Sequence, residues 1–305
     1  MECNIIDLVI RVKSDNSALL AFGLHSMGEE FAASCRNVVC HTSSRVCDNC
    51  LERGECSWYG VFSQELALDP AALRRHQKPP LPFMFSFPIP ELPPETDADL
   101  DCGLVVIGSA INSLGMLLRG FAKLLAGDFF QVRGEIEQIY SRDYQGTLHR
   151  LGFDNLYSNA VNLVVLSATG ILESSPWNLN QIVLRLHSPL KLRFNDRQVR
   201  RFDLGFFARS LLRRVSSLVY YYEKCETGFD FKELSRQSDE VICKVDNFHY
   251  EAEPWGRKKM SGLMGEGQFS GNFSGLMPFL VVGAYLHLGK SASFGMGRYS
   301  IYFNQ

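Results

Sequence analysis

The chain has 305 residues, of which 46% are hydrophobic and 21% charged, with a formal net charge of −2. This length exceeds one small module, and the composition is that of a globular protein with a sizeable core in two domains or one large one. The apolar runs are too short to span a bilayer and the first residues lack a secretory signal, so we expect a cytoplasmic protein with no membrane contact.

The N-terminal half is predicted to contain a strand and a helix, then a strand, a helix and a strand pair. Alternation of apolar residues indicates the strands, and a three-to-four-residue spacing indicates the helices. The predicted elements are 5–12, 25–35, 103–108, 112–125, 131–139 and 144–150.

A cysteine-rich insertion, residues 35–62, interrupts this half. Cys40, Cys47, Cys50 and Cys56 lie within seventeen residues and include one Cys-x-x-Cys pair. Four soft thiolates suit a structural zinc ion or an iron–sulfur cluster, and they leave no open position for a substrate. Unligated cysteines remain an alternative, because spacings of six and five are unlike a standard zinc ribbon. Nine cysteines without a signal peptide indicate a reducing compartment, which disfavours disulfides.

A proline-rich segment follows at residues 79–94, with seven of the twelve prolines. Its centre, residues 82–88, is too apolar for a free linker. We expect an extended arm laid over the core.

A second unit is predicted to begin near Ile182, and its clearest element is a helix over residues 203–224. Arg209 and Arg213 are four residues apart on one face of this helix, with Arg214 adjacent. Strands at 247–253 and 267–274, a helix at 275–288 and a last strand at 299–303 follow. Each half thus approximates a β-α-β-β-α-β unit. The predicted fold class is α+β, with tandem ferredoxin-like (RRM-like) domains at 1–180 and 181–305.

Positive charge is concentrated in the second unit. Residues 185–224 carry a net charge of +7 and residues 254–305 a net charge of +4, so the rest of the chain sums to −13. This polarity fits a polyanion bound to one face of the C-terminal half, although a charge run is more often just a solvated face.

A glycine-rich loop, residues 289–297, lies near the end of the chain. Glycines let the backbone approach an anion closely, and Lys290 and Arg298 supply positive charge. Gly289-Lys290-Ser291 looks like the end of a nucleotide-binding P-loop, but the glycine required five residues earlier is Ala284. The loop also follows a predicted helix where a P-loop follows a strand. A tight turn into the last strand remains the simpler alternative.

Two histidines are candidate general bases. His25 lies near the start of the first predicted helix, and His287 lies two residues before the glycine-rich loop. Imidazole can accept a proton at neutral pH, but a single histidine is more often structural or at the surface.

The segment 285–299, Tyr-Leu-His-Leu-Gly-Lys-Ser-Ala-Ser-Phe-Gly-Met-Gly-Arg-Tyr, closely resembles the C-terminal signature of the CRISPR-associated repeat endoribonucleases of the RAMP superfamily, which process pre-crRNA. The cysteine cluster, the proline arm, residues 188–193, the arginines of the long helix and residues 262–267 agree with this family in their order along the chain.

The resemblance implies two ferredoxin-like domains side by side, with the glycine-rich loop gripping RNA backbone. The RNA-binding candidates are Gly289, Lys290, Ser291, Ser293, Gly295, Gly297 and Arg298 in the loop, with Arg209, Arg213 and Arg214 on the basic helix. It also implies cleavage of CRISPR repeat RNA without a catalytic cofactor. A base deprotonates a ribose 2′-hydroxyl, which attacks the adjacent phosphate and leaves a 2′,3′-cyclic phosphate and a 5′-hydroxyl.

The catalytic histidine of this family commonly lies by the first helix, which points to His25. His287 is the second candidate, and Lys290 is the candidate charge stabiliser. The alternative hypothesis is a non-catalytic repeat- or crRNA-binding subunit of a CRISPR effector complex. Other effector-complex subunits are therefore candidate partners.

Overall fold

The computed structural model describes residues 2–41, 46–68, 78–88, 99–152, 163–174, 176–195, 197–226, 228–255 and 258–303. No helix within these ranges is long and apolar enough to cross a membrane.

The N-terminal half builds a six-stranded sheet. Its strands are β1 (Asn4–Ser14), β2 (Phe83–Ser86), β3 (Leu100–Ile107), β4 (Gly134–Arg142), β5 (Leu148–Leu151) and β6 (Leu166–Ser167). The accompanying helices are α1 (Ser17–Leu24), α2 (Gly28–Val39), α3 (Ser57–Phe62), α4 (Leu114–Leu125), which a 3₁₀ turn at Gly108–Ser113 precedes, and α5 (Ala168–Glu173). The sheet order is β2-β3-β1-β4-β5, with antiparallel neighbours, and β6 pairs with β1. The first four strands thus have the order of a ferredoxin-like unit.

The C-terminal half repeats this arrangement in a five-stranded sheet. Its elements are β7 (Gln181–Leu190), β8 (Arg193–Phe194), β9 (Arg197–Gln198), α6 (Leu204–Glu223), α7 (Phe231–Asp239), β10 (Ile242–Asp246), β11 (His249–Trp255), β12 (Lys258–Ser270), α8 (Met277–Leu286) and β13 (Tyr299–Tyr302). The order is β10-β12-β7-β13, β11 pairs with β12, and β8 and β9 form a separate hairpin. The predicted α+β class and the repeated β-α-β-β-α-β order are therefore present in the structure.

Strand β1 explains how the two halves are joined. Ile6, Leu8 and Ile10 alternate along it and pack into a core with helices α2 and α4. Ile5 points to the opposite face and belongs to a second core, which includes the apolar side of α6 and of α8. Because successive side chains of a strand face opposite sides, one strand contributes to both cores. The two halves consequently share a buried boundary.

Two predicted elements need correction. The first predicted helix, 25–35, is two helices: α1 ends at Leu24 and α2 begins at Gly28. His25 is the C-terminal cap of α1 and so lies in a tight corner between the two helices. The proline-rich arm is also more than a cover over the core, because Phe83–Ser86 forms β2 and pairs with β3. Residues 89–94 of the predicted arm lie outside the described residues.

Candidate functional site

The glycine-rich loop is held against the end of β7 by backbone hydrogen bonds. Lys290 N donates to Lys191 O over 2.9 Å, and Gly297 N donates to Pro189 O over 3.1 Å. Gly297 has φ +64, and a Cβ atom there would stand 1.7 Å from the carbonyl oxygen of Leu288, which only glycine avoids. The loop is therefore fixed to the C-terminal sheet.

The same loop also touches the N-terminal half. Phe85 N, in β2, donates to Ser293 O over 3.0 Å, and Phe85 forms a parallel bridge with Phe294. The ring of Phe294 lies 5.7 Å from that of Phe83 and 6.5 Å from that of Phe31, between centroids. The loop thus bridges the two ferredoxin-like halves.

His25 lies where this bridge closes. Its ring meets Phe87 edge-on, with centroids 5.2 Å apart, and its Nδ1 stands 3.2 Å from the position of a Cβ atom at Gly295. Both ring nitrogens are buried, although the residue as a whole keeps intermediate exposure. Burial lowers the pKa of His25 to about 4, and hydrogen bonds to the backbone of Phe294 and Pro88 oppose this shift only in part. The imidazole is therefore neutral at pH 7, with both nitrogens covered in this structure.

His287, the second candidate base, lies beneath the loop. It is 4% exposed, and its Nδ1 is 3.2 Å from the carbonyl oxygen of Ala292. Burial, with the charges of Arg298 and Arg214, lowers the pKa of His287 to about 3. This position suits a side chain that fixes the loop at Ala292, and it leaves the ring no face toward solvent.

The other loop candidates divide by exposure. Lys290, Ser291 and Arg298 are exposed and Gly289 is half-buried, whereas Ser293, Gly295 and Gly297 are buried. The exposed rim can contact a ligand directly. The buried members shape the backbone beneath it.

A charged cluster that the sequence did not single out lies where Arg298 leaves the loop. Asp7, in β1, is 5% exposed and accepts a hydrogen bond from Arg142 Nη1 over 3.0 Å. Burial raises the pKa of Asp7, and the charges of Arg142 and then Arg298 act in the opposite direction. A lone acidic residue in the apolar strand 5–12 is the signal that could have identified this cluster.

The three arginines of α6 occupy different environments. Arg209 Nη1 donates to Asp239 Oδ1 over 2.6 Å, and Arg209 also lies 3.9 Å from Asp203. Arg213 is exposed and makes no ion pair within the described part of the chain. Arg214 Nε donates to the carbonyl oxygen of Leu286 over 3.0 Å. Arg213 and Arg214 therefore line the surface beside the loop, whereas Arg209 already has carboxylate partners.

The four candidate zinc ligands are not brought together. Cys40, Cys47, Cys50 and Cys56 are free thiols, and no three His, Cys, Asp or Glu side chains among the described residues are grouped as a metal site requires. Cys47 Sγ instead accepts a hydrogen bond from Arg36 over 3.3 Å. As they are placed here, the four thiols do not form a zinc site. Zinc binding therefore stays a prediction, which the metal content of the purified protein tests.

The site combines the neutral imidazole of His25 with a cationic rim, which consists of the exposed Lys290 and Arg298. His25 can accept a proton, and Lys290 and Arg298 can attract a phosphate. Burial and the neighbouring Lys290 lower the pKa of Lys191, which shows that the positive charges beside the loop are close enough to act on each other. Such a site suits a reaction at a phosphodiester.

Comparison with known proteins gives one family match in each half of the chain. The family model for the CRISPR-associated endoribonuclease Cas6 matches residues 184–299, and a family described as an N-terminal domain matches residues 27–164. No curated protein matches the chain in sequence.

Solved Cas6 structures share the fold over nearly the whole chain. The Thermus thermophilus Cas6 protein TTHB231 is 14% identical, with a TM-score of 0.54, and covers 98% of this chain and 99% of its own. A product complex of Cas6 TTHA0078 is 12% identical, with a TM-score of 0.58, and covers 98% and 100%. A partial Cas6-RT-Cas1–Cas2 complex is 11% identical, with a TM-score of 0.54, and covers 99% of this chain and 46% of its own. Residues 184–299 thus match the family model of the CRISPR-associated endoribonuclease Cas6, and the chain as a whole shares the fold of the solved Cas6 structures.

Proposed function

We propose that this protein binds CRISPR repeat RNA and cleaves it in the maturation of guide RNA, without a catalytic metal ion. The observation that carries the proposal is the close approach of His25, from the N-terminal half, to Gly295 of the C-terminal loop, where an added Cβ atom would stand 3.2 Å from Nδ1. A candidate base thereby lies against the segment that the Cas6 family match includes.

In the proposed reaction, His25 accepts the proton of a ribose 2′-hydroxyl, and the 2′-oxygen forms a bond to the adjacent phosphorus. The bond from phosphorus to the 5′-oxygen breaks, and that oxygen takes up a proton from water. The products are a 2′,3′-cyclic phosphate and a 5′-hydroxyl. Lys290, exposed on the loop rim, stabilises the negative charge that develops on the phosphoryl oxygens.

The burial of His25 sets a requirement for this reaction. Both ring nitrogens are covered in the unliganded chain, so RNA binding has to open a path between Phe87 and the loop. A neighbouring phosphate would also raise the pKa of the imidazole from about 4 toward neutrality, which strengthens it as a base.

The same burial favours a second candidate, a non-catalytic subunit that holds repeat RNA or crRNA within a CRISPR effector complex. A base with a pKa of about 4 is weak, and a covered ring cannot reach a substrate. Binding by the cationic rim needs neither property.

Incubation of the protein with repeat RNA in EDTA separates the two candidates. The proposal expects cleavage in EDTA, products with a cyclic phosphate end, and no cleavage of RNA that carries a 2′-deoxy substitution at the scissile nucleotide. RNA that is bound and left intact supports the non-catalytic subunit instead. Cleavage that stops in EDTA contradicts metal independence.

A further inference from the structure

A cavity of about 390 Å³ opens beside Gly289, where α6 meets the segment that leads into β2. Its polar lining consists of cations and hydroxyls: Lys78, Ser210, Arg213, Arg214 and Ser217. No acidic side chain lies among the described residues that line it. The electrostatic potential in the cavity therefore favours an anion.

Two polar atoms of this lining lack partners. Ser217 is 3% exposed, and its Oγ makes no hydrogen bond within the described structure. The same holds for Nη2 of Arg214, whose Nε is already engaged by Leu286. A buried donor without an acceptor costs free energy, and proteins rarely keep one without a ligand or a functional reason.

Helix α6 places the polar residues of the cavity lining next to one another. On α6 one polar stripe is formed by residues spaced i, i+3, i+4 and i+7, namely Ser210, Arg213, Arg214 and Ser217. Burial lowers the pKa of Arg214 to about 10, which leaves its guanidinium charged at neutral pH. Lys78 approaches from the N-terminal half, so both halves contribute to the cavity.

We propose that this cavity binds one backbone phosphate of the RNA, beside the glycine-rich loop. The inference rests on the proposed function, because it deepens the RNA-binding surface of the same site. Phosphate oxygens accept hydrogen bonds from the Ser217 hydroxyl and the Arg214 guanidinium, and Arg213 and Lys78 supply further charge. Free inorganic phosphate has the same chemistry, and the test below separates the two sources.

The test measures binding of 2′-deoxy-blocked repeat RNA to wild type, Ser217→Ala and Arg213→Gln at several salt concentrations. Ser217→Ala should weaken binding about tenfold, as loss of a hydrogen bond to a charged group does. It should not lower the unfolding temperature of the free protein, because this hydroxyl has no protein partner to lose. Arg213→Gln should reduce the slope of log affinity against log salt by about 0.7 to 0.9.

Arg236→Gln is the matched control. It removes the same charge from a guanidinium that Glu233 and Glu240 already hold on α7, so affinity and salt slope should stay at the wild-type values. Titration of wild type and Ser217→Ala with inorganic phosphate alone provides a second arm.

Each outcome has a separate meaning. If wild type binds repeat RNA and both variants bind it equally well with the same slope, the cavity proposal is wrong and the proposed function stands. If phosphate raises the unfolding temperature of wild type but not of Ser217→Ala, while RNA binding is unaffected, the cavity takes a free anion and the RNA proposal is overturned. If wild type does not bind repeat RNA, the proposed function fails and the cavity proposal fails with it.

Discussion

Nδ1 of His25 lies 3.2 Å from the point at which a side chain at Gly295 would begin. His25 is the C-terminal cap of α1, whereas Gly295 belongs to the loop between α8 and β13. This contact joins the candidate base to the loop across the boundary of the two halves. The position of His25 in the N-terminal half therefore depends on the conformation of the loop in the C-terminal half.

Gly295→Ala should lower the cleavage rate strongly and the free energy of unfolding only moderately. Gly295 has φ +88, and an added Cβ would stand 3.1 Å from the ring of Phe87 as well as close to His25. The left-handed backbone costs about 1 to 2 kcal/mol with alanine. Displacement of the imidazole should lower the single-turnover cleavage rate of repeat RNA at saturating protein.

Gly146→Ala provides the matched control. Gly146 has a similar φ of +83, but a Cβ there meets no heavy atom within 4 Å. Its backbone cost should be similar while cleavage stays unchanged. Equal cleavage by the two variants would show that contact with His25 does not matter.

Arg142→Ala should destabilise the fold, because it leaves the carboxylate of Asp7 buried without its partner. The side chain of Asp7 is 7% exposed and that of Arg142 is 41% exposed, so solvent screens part of the effect. We expect a loss of about 2 to 3 kcal/mol in the free energy of unfolding, measured with urea. Arg11→Ala breaks an exposed pair with Asp101 of similar length, 2.9 Å, and should change stability little. Similar losses in both variants would contradict the buried-charge account.

The buried histidines make stability depend on pH in the acid range. Burial lowers the folded-state pKa of His25 to about 4, whereas the unfolded chain takes up the proton near pH 6.5. Between these values the unfolded state binds more protons, so stability falls as the pH falls. Between pH 7 and pH 5, the free energy of unfolding of His25→Asn should fall by about 2 kcal/mol less than that of wild type. Urea unfolding at each pH measures this difference. An identical loss in both proteins would show that the ring titrates normally.

His287→Ala should affect RNA binding and stability before it affects chemistry. Its ring makes a hydrogen bond with the carbonyl oxygen of Ala292, so its removal frees the loop at Ala292 and opens a cavity. We expect a loss of about 2 kcal/mol or more in stability and weaker RNA binding. The cleavage rate at saturating protein should fall less than in His25→Ala, and His287→Asn, which keeps a donor, should restore part of the stability. A rate as low as that of His25→Ala would assign His287 to the reaction itself.

The fold followed from sequence patterns because its elements are long and regular. Helix 203–224 was predicted within one residue at each end of α6, since an apolar stripe and the Asp203 cap both identify it. The position of His25 was harder to predict. The break between α1 and α2 arises at His25 and Ser26, where no proline or charge pattern indicates the end of a helix.

Only part of the candidate site could be predicted, because its geometry depends on contacts between residues that are distant in the chain. Local sequence identifies the glycine-rich loop and the arginines of α6, but partners distant in the chain decide which of them are available. Asp239, which binds Arg209, ends a helix that the sequence analysis did not predict. Asp7 and Arg142 lie 135 residues apart, and strand pairing alone brings them together.

The most direct test is the single-turnover cleavage rate of repeat RNA by wild type and His25→Ala, in EDTA, with RNA affinity measured for both. Loss of a general base lowers a rate by about 10² to 10⁴. We predict a fall of this size with unchanged affinity, because His25 lies behind the cationic rim that holds the RNA. Cleavage by His25→Ala at the wild-type rate would contradict the proposed role of His25.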